Sequence, residues 1–138
     1  MAAISELIRE EANGALSFGD YTLTSKSKLD NFEHAGDIYK VKTFEEITKL
    51  ERNGLFVYES VPGTAVTDFT QTENVVAFTV EGPKDAQITL ELEESTEYEI
   101  TIDGESAGVM KTNLGGKINM SVELNAGELV VVSATKKA

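Results

Sequence analysis

The sequence has no cysteine and no tryptophan, one histidine, two prolines, and twelve Lys and Arg residues against twenty-four Asp and Glu. Each shortage removes a class of chemistry. Without cysteine there is no disulfide, thiolate nucleophile or zinc-thiolate centre, and the redox compartment stays open. Without tryptophan the usual stacking platform for sugar rings is thin. A net charge of −12 opposes binding to DNA, RNA or anionic membranes, so neither nucleic acid nor membrane is an expected partner. No stretch approaches the ~20 apolar residues of a membrane span. The start, "MAAISELIREE", lacks the basic region and apolar core of a secretory signal. The expectation is a soluble cytoplasmic protein, or an extracellular one if a leader was removed.

What is present is enough apolar material, 41% of 138 residues, to bury a core. Ile4, Leu7 and Ile8 have helical spacing and stop at Asn13-Gly14, which predicts a short helix over residues 3–12. Thr43 with Glu46 matches a capping box, Phe44, Ile47 and Leu50 form an apolar stripe, and Asn53-Gly54 closes a second helix. Asn-Gly also suits a type I′ hairpin, but that needs a strand on each side. "LFVYESV", residues 55–61, leaves neither face polar and predicts a strand covered on both sides. Between the two junctions, a hairpin turning at residues 34–37 is expected, with 38–43 as its return strand.

From Val66 onward, turn residues punctuate strands predicted at 66–71, 75–81, 86–93, 97–102, 107–112, 117–124 and 128–134. The fold class expected is mainly β within α+β: an antiparallel β-sandwich with two short helices in the N-terminal half. A boundary near Pro62-Gly63 would separate an α+β portion, 1–63, from a sandwich portion, 64–138, within what can be one continuous domain.

"LEESTEY", with Leu92, Thr96 and Tyr98, resembles the tyrosine corner of fibronectin type III domains. There the tyrosine hydroxyl bonds back to nearby backbone as the chain crosses between sheets. The stretch from Glu97 to Val132, "EYEITIDGESAGVMKTNLGGKINMSVELNAGELVVV", resembles the closing β-sandwich modules of bacterial glycan-processing and surface proteins, which implies a non-catalytic role. The whole chain, most strongly "YKVKTFEEITKLERNGLFVYESVPGT", is similar to small bacterial proteins that sometimes carry the label endosialidase. Sialidase chemistry grips a carboxylate with several arginine forks. The sequence has only Arg9 and Arg52, so its residues point away from that activity.

Other candidate chemistry is sparse. His34 stands beside Glu33 in the expected turn and reads as a solvated histidine rather than an acid-base catalyst. Ser60 and Ser133 lack a nucleophile elbow. "NLGGKINM" lacks P-loop spacing, and the sequon at Asn119 falls in a predicted strand. Glu91, Glu93, Glu97 and Glu99 would oppose one another if their strands formed a hairpin. A calcium ion or a crossing between sheets would relieve that repulsion, and the four are weak calcium candidates. Tyr98, Thr96, Leu92, Gly54 and Gly104 are the expected structural residues. No cofactor is implied. The reading is a non-enzymatic structural or interaction module that forms a homo-oligomer, with a glycan-binding accessory protein as the alternative.

Overall fold

A computed structural model describes residues 4–137. Among them are thirteen strands and no helix: β1 Ile8–Glu10, β2 Leu16–Phe18, β3 Ser27–His34, β4 Asp37–Phe44, β5 Ile47–Arg52, β6 Leu55–Val61, β7 Ala65–Gln71, β8 Val75–Glu81, β9 Ala86–Glu91, β10 Glu97–Ile102, β11 Glu105–Lys111, β12 Lys117–Val122 and β13 Val130–Lys136. All pairings are antiparallel. One sheet runs β1-β2-β7-β8-β13-β10-β11 and the other β12-β9-β6-β5-β4-β3. Each sheet draws strands from both sides of Pro62-Gly63, and a single apolar cluster lies between them.

Period-two alternation builds that cluster. In β12 Ile118, Met120 and Val122 are buried while Lys117, Asn119 and Ser121 are exposed; β8 buries Val76, Phe78 and Val80 in the same way. Aromatic edges tie the sheets together. Phe18 meets Tyr58 at 5.3 Å and Phe69 at 5.7 Å between ring centroids, and Tyr58 meets Phe78 at 5.6 Å.

Both expected helices are replaced by strand and turn. Of the first, residue 3 lies outside the described residues; the remainder is a turn followed by β1, with Leu7 at φ 71°, a value no right-handed helix contains. Ile4 and Ile8 are buried in the sandwich, so three spaced apolar residues record burial rather than helical period. The second becomes the end of β4, a two-residue turn at Glu45-Glu46, and β5, with Phe44 paired to Ile47. Thr43 caps no helix. It faces Thr48 across the strands, hydroxyl to hydroxyl at 2.8 Å. Asn53-Gly54 is the type I′ hairpin, with φ 54° and 80°, and Arg52 pairs with Leu55. Asp103-Gly104 repeats it between β10 and β11 with φ 51° and 83°.

The strand at 55–61 is present, but no helix covers it. Leu55 is 67% and Val61 50% exposed. The apparent two-sided apolarity comes from a bulge: Leu50 pairs with Tyr58 and Glu51 with Phe56, so Val57 is the extra residue and turns inward beside Tyr58.

Inside the six-stranded sheet the polar groups fasten to one another. Thr64 Oγ1 lies 2.8 Å from the Tyr58 hydroxyl and 2.7 Å from Ser60 Oγ; Thr48 Oγ1 donates to the Thr64 carbonyl at 2.8 Å and accepts the Thr64 N–H at 3.1 Å. All four side chains are fully buried. Gly63 packs so closely that an added Cβ would stand 2.0 Å from the Phe44 carbonyl oxygen, so only glycine brings Thr64 into this network.

Candidate functional site

The crossing from β9 to β10 passes from one sheet to the other. Tyr98, 3% exposed, accepts the Glu93 N–H on its hydroxyl at 3.2 Å. Thr112 completes the fastening: its Oγ1 accepts the Thr96 N–H at 2.8 Å and donates to the Glu93 carbonyl at 2.6 Å. The Thr96 hydroxyl turns back to the Glu94 carbonyl, and Leu92 packs against the core. Thr112 carried no sequence signal, because its partner segment lies sixteen to nineteen residues away.

Because the crossing separates the strands, the acidic run is not gathered. Glu91 faces Lys117, Glu97 faces Lys111, Glu99 accepts from Ser106 Oγ, and Glu93 holds Lys136 Nζ at 2.9 Å. The hydrogen bond from Lys136, followed by its charge, lowers the Glu93 pKa. Among the described residues, no group of three or more His, Cys, Asp or Glu stands where it could hold a metal ion.

His34 is the last residue of β3, not a solvated turn residue. Its side chain is 12% exposed, with Nδ1 3.2 Å from Glu10 Oε1 but not aligned as a hydrogen bond, and its ring edge lies against Tyr39. Its carboxylate neighbour is therefore Glu10, brought by β1, and not Glu33. Ser60 belongs to the buried hydroxyl network and Ser133 to an outer face, so neither meets a base. Arg9 is committed to Glu11 at 2.9 Å and Arg52 to Gln71 at 3.2 Å, on separate elements.

A cleft of about 630 Å³ opens where the β5–β6 and β7–β8 turns meet the crossing, lined by Arg52, Gln71, Glu73, Glu91, Glu93 and Tyr98 among others. Within it Arg52 donates to Gln71, while Glu93 is held by Lys136 from outside the lining. Glu81, 2% exposed at the end of β8, is the opposite case: neither carboxylate oxygen finds a hydrogen bond among the described residues, and burial raises its pKa.

The two outer faces carry the clearest contrast in chemistry. Across the seven-stranded sheet, register aligns Thr67 with Thr79 and Val131, and Thr70 with Ala77, Ser133 and Thr101. Val75 and Thr135 continue this face, and charges flank it at Glu99 on β10 and at the exposed Asp68 in the β7 bulge. Across the six-stranded sheet one row reads Lys28, Lys42, Lys49, Glu59, Thr89, Asn119. The chain matches no family model, no curated protein and no solved structure. Among the described residues no helix is long and apolar enough to cross a membrane.

Proposed function

We propose that the protein is a non-enzymatic interaction module that self-associates through the outer face of its seven-stranded sheet. The observation that carries this reading is the charge-free centre of that face, Val75, Ala77 and Thr79 on β8 beside Val131, Ser133 and Thr135 on β13. In a chain of net charge −12, two copies repel least where neither presents a charge, and Thr, Ser, Ala and Val are short enough to let two sheets approach. Four strands about 4.8 Å apart, with five residues at about 3.4 Å each, give a patch of roughly 19 by 17 Å. That is well below the ~800 Å² per partner of a standard stable interface, so the association is weak and concentration-dependent.

Sedimentation equilibrium over rising concentration tests this. The expected apparent mass climbs from 15.0 kDa toward twice that value, and Thr79→Lys holds it at the monomer. A constant monomer mass, or a Thr79→Lys variant that still associates, removes the reading. Binding of neutral glycans is less well supported, because the half-buried rings of Phe44 and Phe56 have lysine ammonium groups over them, at 5.8 Å for Lys26 and at 5.8 and 5.0 Å for Lys49 and Lys117.

A further inference from the structure

We propose that the margin of the sandwich between β11 and β12 takes up one extended peptide, basic along one side, as a seventh antiparallel strand of the smaller sheet. Four strands end the two sheets, and three of them are blunted against further pairing. β1 is three residues long. β3 is bulged between Leu29 and Phe32, with Asn31 at φ 59°, and β11 is bulged opposite Ile100 and Thr101, with Gly108 at φ 100°. β12 has no such device: it pairs with β9 through six consecutive residues without a shift. Lys117 turns its backbone away from β9, its N–H donating to Asn113 Oδ1 at 3.0 Å and its carbonyl accepting the Asn113 N–H at 3.2 Å. The preceding Gly116 does the reverse, its carbonyl accepting the Leu92 N–H on the β9 side at 2.6 Å. An antiparallel ladder alternates, so Asn119 and Ser121 also aim their N–H and C=O groups at the free edge, where no strand stands among the described residues.

The count of strands shapes the opening. At the opposite margin β1 meets β3, where His34 Nδ1 lies 3.2 Å from Glu10 Oε1, so the seventh strand of the larger sheet, β11, has no counterpart in the smaller one. Its residues are accordingly exposed on both faces, with only Met110 half-buried, and a Cβ added at Gly108 would meet nothing within 4 Å. The space beside β12 and across from β11 is one strand wide. Two copies pairing β12 to β12 would need both overhanging β11 strands in the same place, which leaves a single extended segment as the occupant. Its inward residues continue the row of Ile118, Met120 and Val122 and are therefore apolar. Its outward residues stand beside Asn119, Ser121 and Glu123. Residues 112–116 join β11 to β12, so Glu105 and Glu123 mark the far end of both, exposed and with no cation within 4 Å among the described residues. With the chain at −12, lysine or arginine on the outward side is the complement. The opening lies at the margin, apart from the face proposed for self-association, and does not depend on it.

Titration of the full isotope-labelled chain with the end-capped peptide KVKVKVK, followed by NMR, is the test. The expected amide shifts concentrate on β11 and β12, and the Asn119 and Ser121 amides exchange with solvent about tenfold more slowly in the complex. Ser121→Pro removes one of those donors at an edge position that tolerates proline and weakens binding about tenfold. The same peptide N-methylated at its lysines, the residues opposite Asn119 and Ser121, binds as weakly to the unaltered protein. Thr79→Lys, which targets self-association, leaves peptide binding in place, and thermal melting confirms that each variant is folded. Four results overturn the proposal: no shifts at all, shifts spread over the acidic surface without slowed exchange at Asn119 and Ser121, undiminished binding of the N-methylated peptide, or equal binding of EVEVEVE.

Discussion

At the centre of its outer face, on β8 and β13, the seven-stranded sheet shows solvent Thr, Ser, Ala and Val without a charge, and the six-stranded sheet sets three lysines in one row. Their inner faces differ in the reverse sense. The six-stranded sheet buries a hydroxyl network centred on Thr64 in which each member has a partner, while the seven-stranded sheet is apolar inside, with Phe18, Phe69 and Phe78 among aliphatic side chains; β8 then ends on the buried Glu81, whose carboxyl finds no hydrogen bond among the described residues. Fold stability needs the inner faces, because burial and hydrogen-bond satisfaction act there. It asks little of the outer ones. Differences on the outside are therefore the ones open to recognition, whereas those on the inside decide what each sheet tolerates.

The largest effect expected is at Thr64. Thr64→Val keeps the shape but leaves the Tyr58 and Ser60 hydroxyls without their shared partner, at about 2–4 kcal/mol, because each stranded buried group costs about 1–3 kcal/mol. Val132→Ala, in the apolar interior of the other sheet, removes apolar contact alone and should cost about 2 kcal/mol. Urea titration of both variants measures the comparison, and a Thr64→Val midpoint equal to wild type would break it.

Glu81 should respond with the opposite sign. An acid whose folded pKa is raised by burial contributes most below the unfolded value and loses that contribution as pH rises through the folded one. Stability should therefore fall as pH climbs from the ordinary glutamate range toward neutral. Glu81→Gln should flatten that fall and stabilise the protein at pH 7 by about 1 kcal/mol. Melting temperatures of both proteins from pH 4 to 7 decide it, and parallel curves would show that Glu81 is not the source.

Much of the C-terminal half could be read from the sequence, because turn residues stand between strands of clean alternation: β8 and β10 occupy the residues expected for them. The N-terminal half was misread for local reasons. A bulge at Val57 hides the alternation of β6, and a hairpin turn made of Glu45-Glu46 lacks the glycine or asparagine that marks its siblings. Thr43 and Glu46 then look like a helix cap because the same three-residue spacing spans that turn. The outer faces were not legible at all. Lys28, Lys42 and Lys49 are fourteen and seven residues apart, and only register makes them neighbours.

Tyr98→Phe sharpens the comparison at the point where the chain leaves one sheet for the other. The hydroxyl accepts a single N–H, from the partly exposed Glu93 segment, and Thr112 holds the same segment independently. Water can reach part of what the hydroxyl serves, so the loss should be about 1 kcal/mol or less, below that of Thr64→Val. Thr112→Val in the Tyr98→Phe background should cost more than the two single changes added together, because the second change removes the remaining anchor. A double-mutant cycle by urea denaturation reads that coupling. If the losses simply add, the crossing is held by its flanking strands, and neither Tyr98 nor Thr112 positions it for the other.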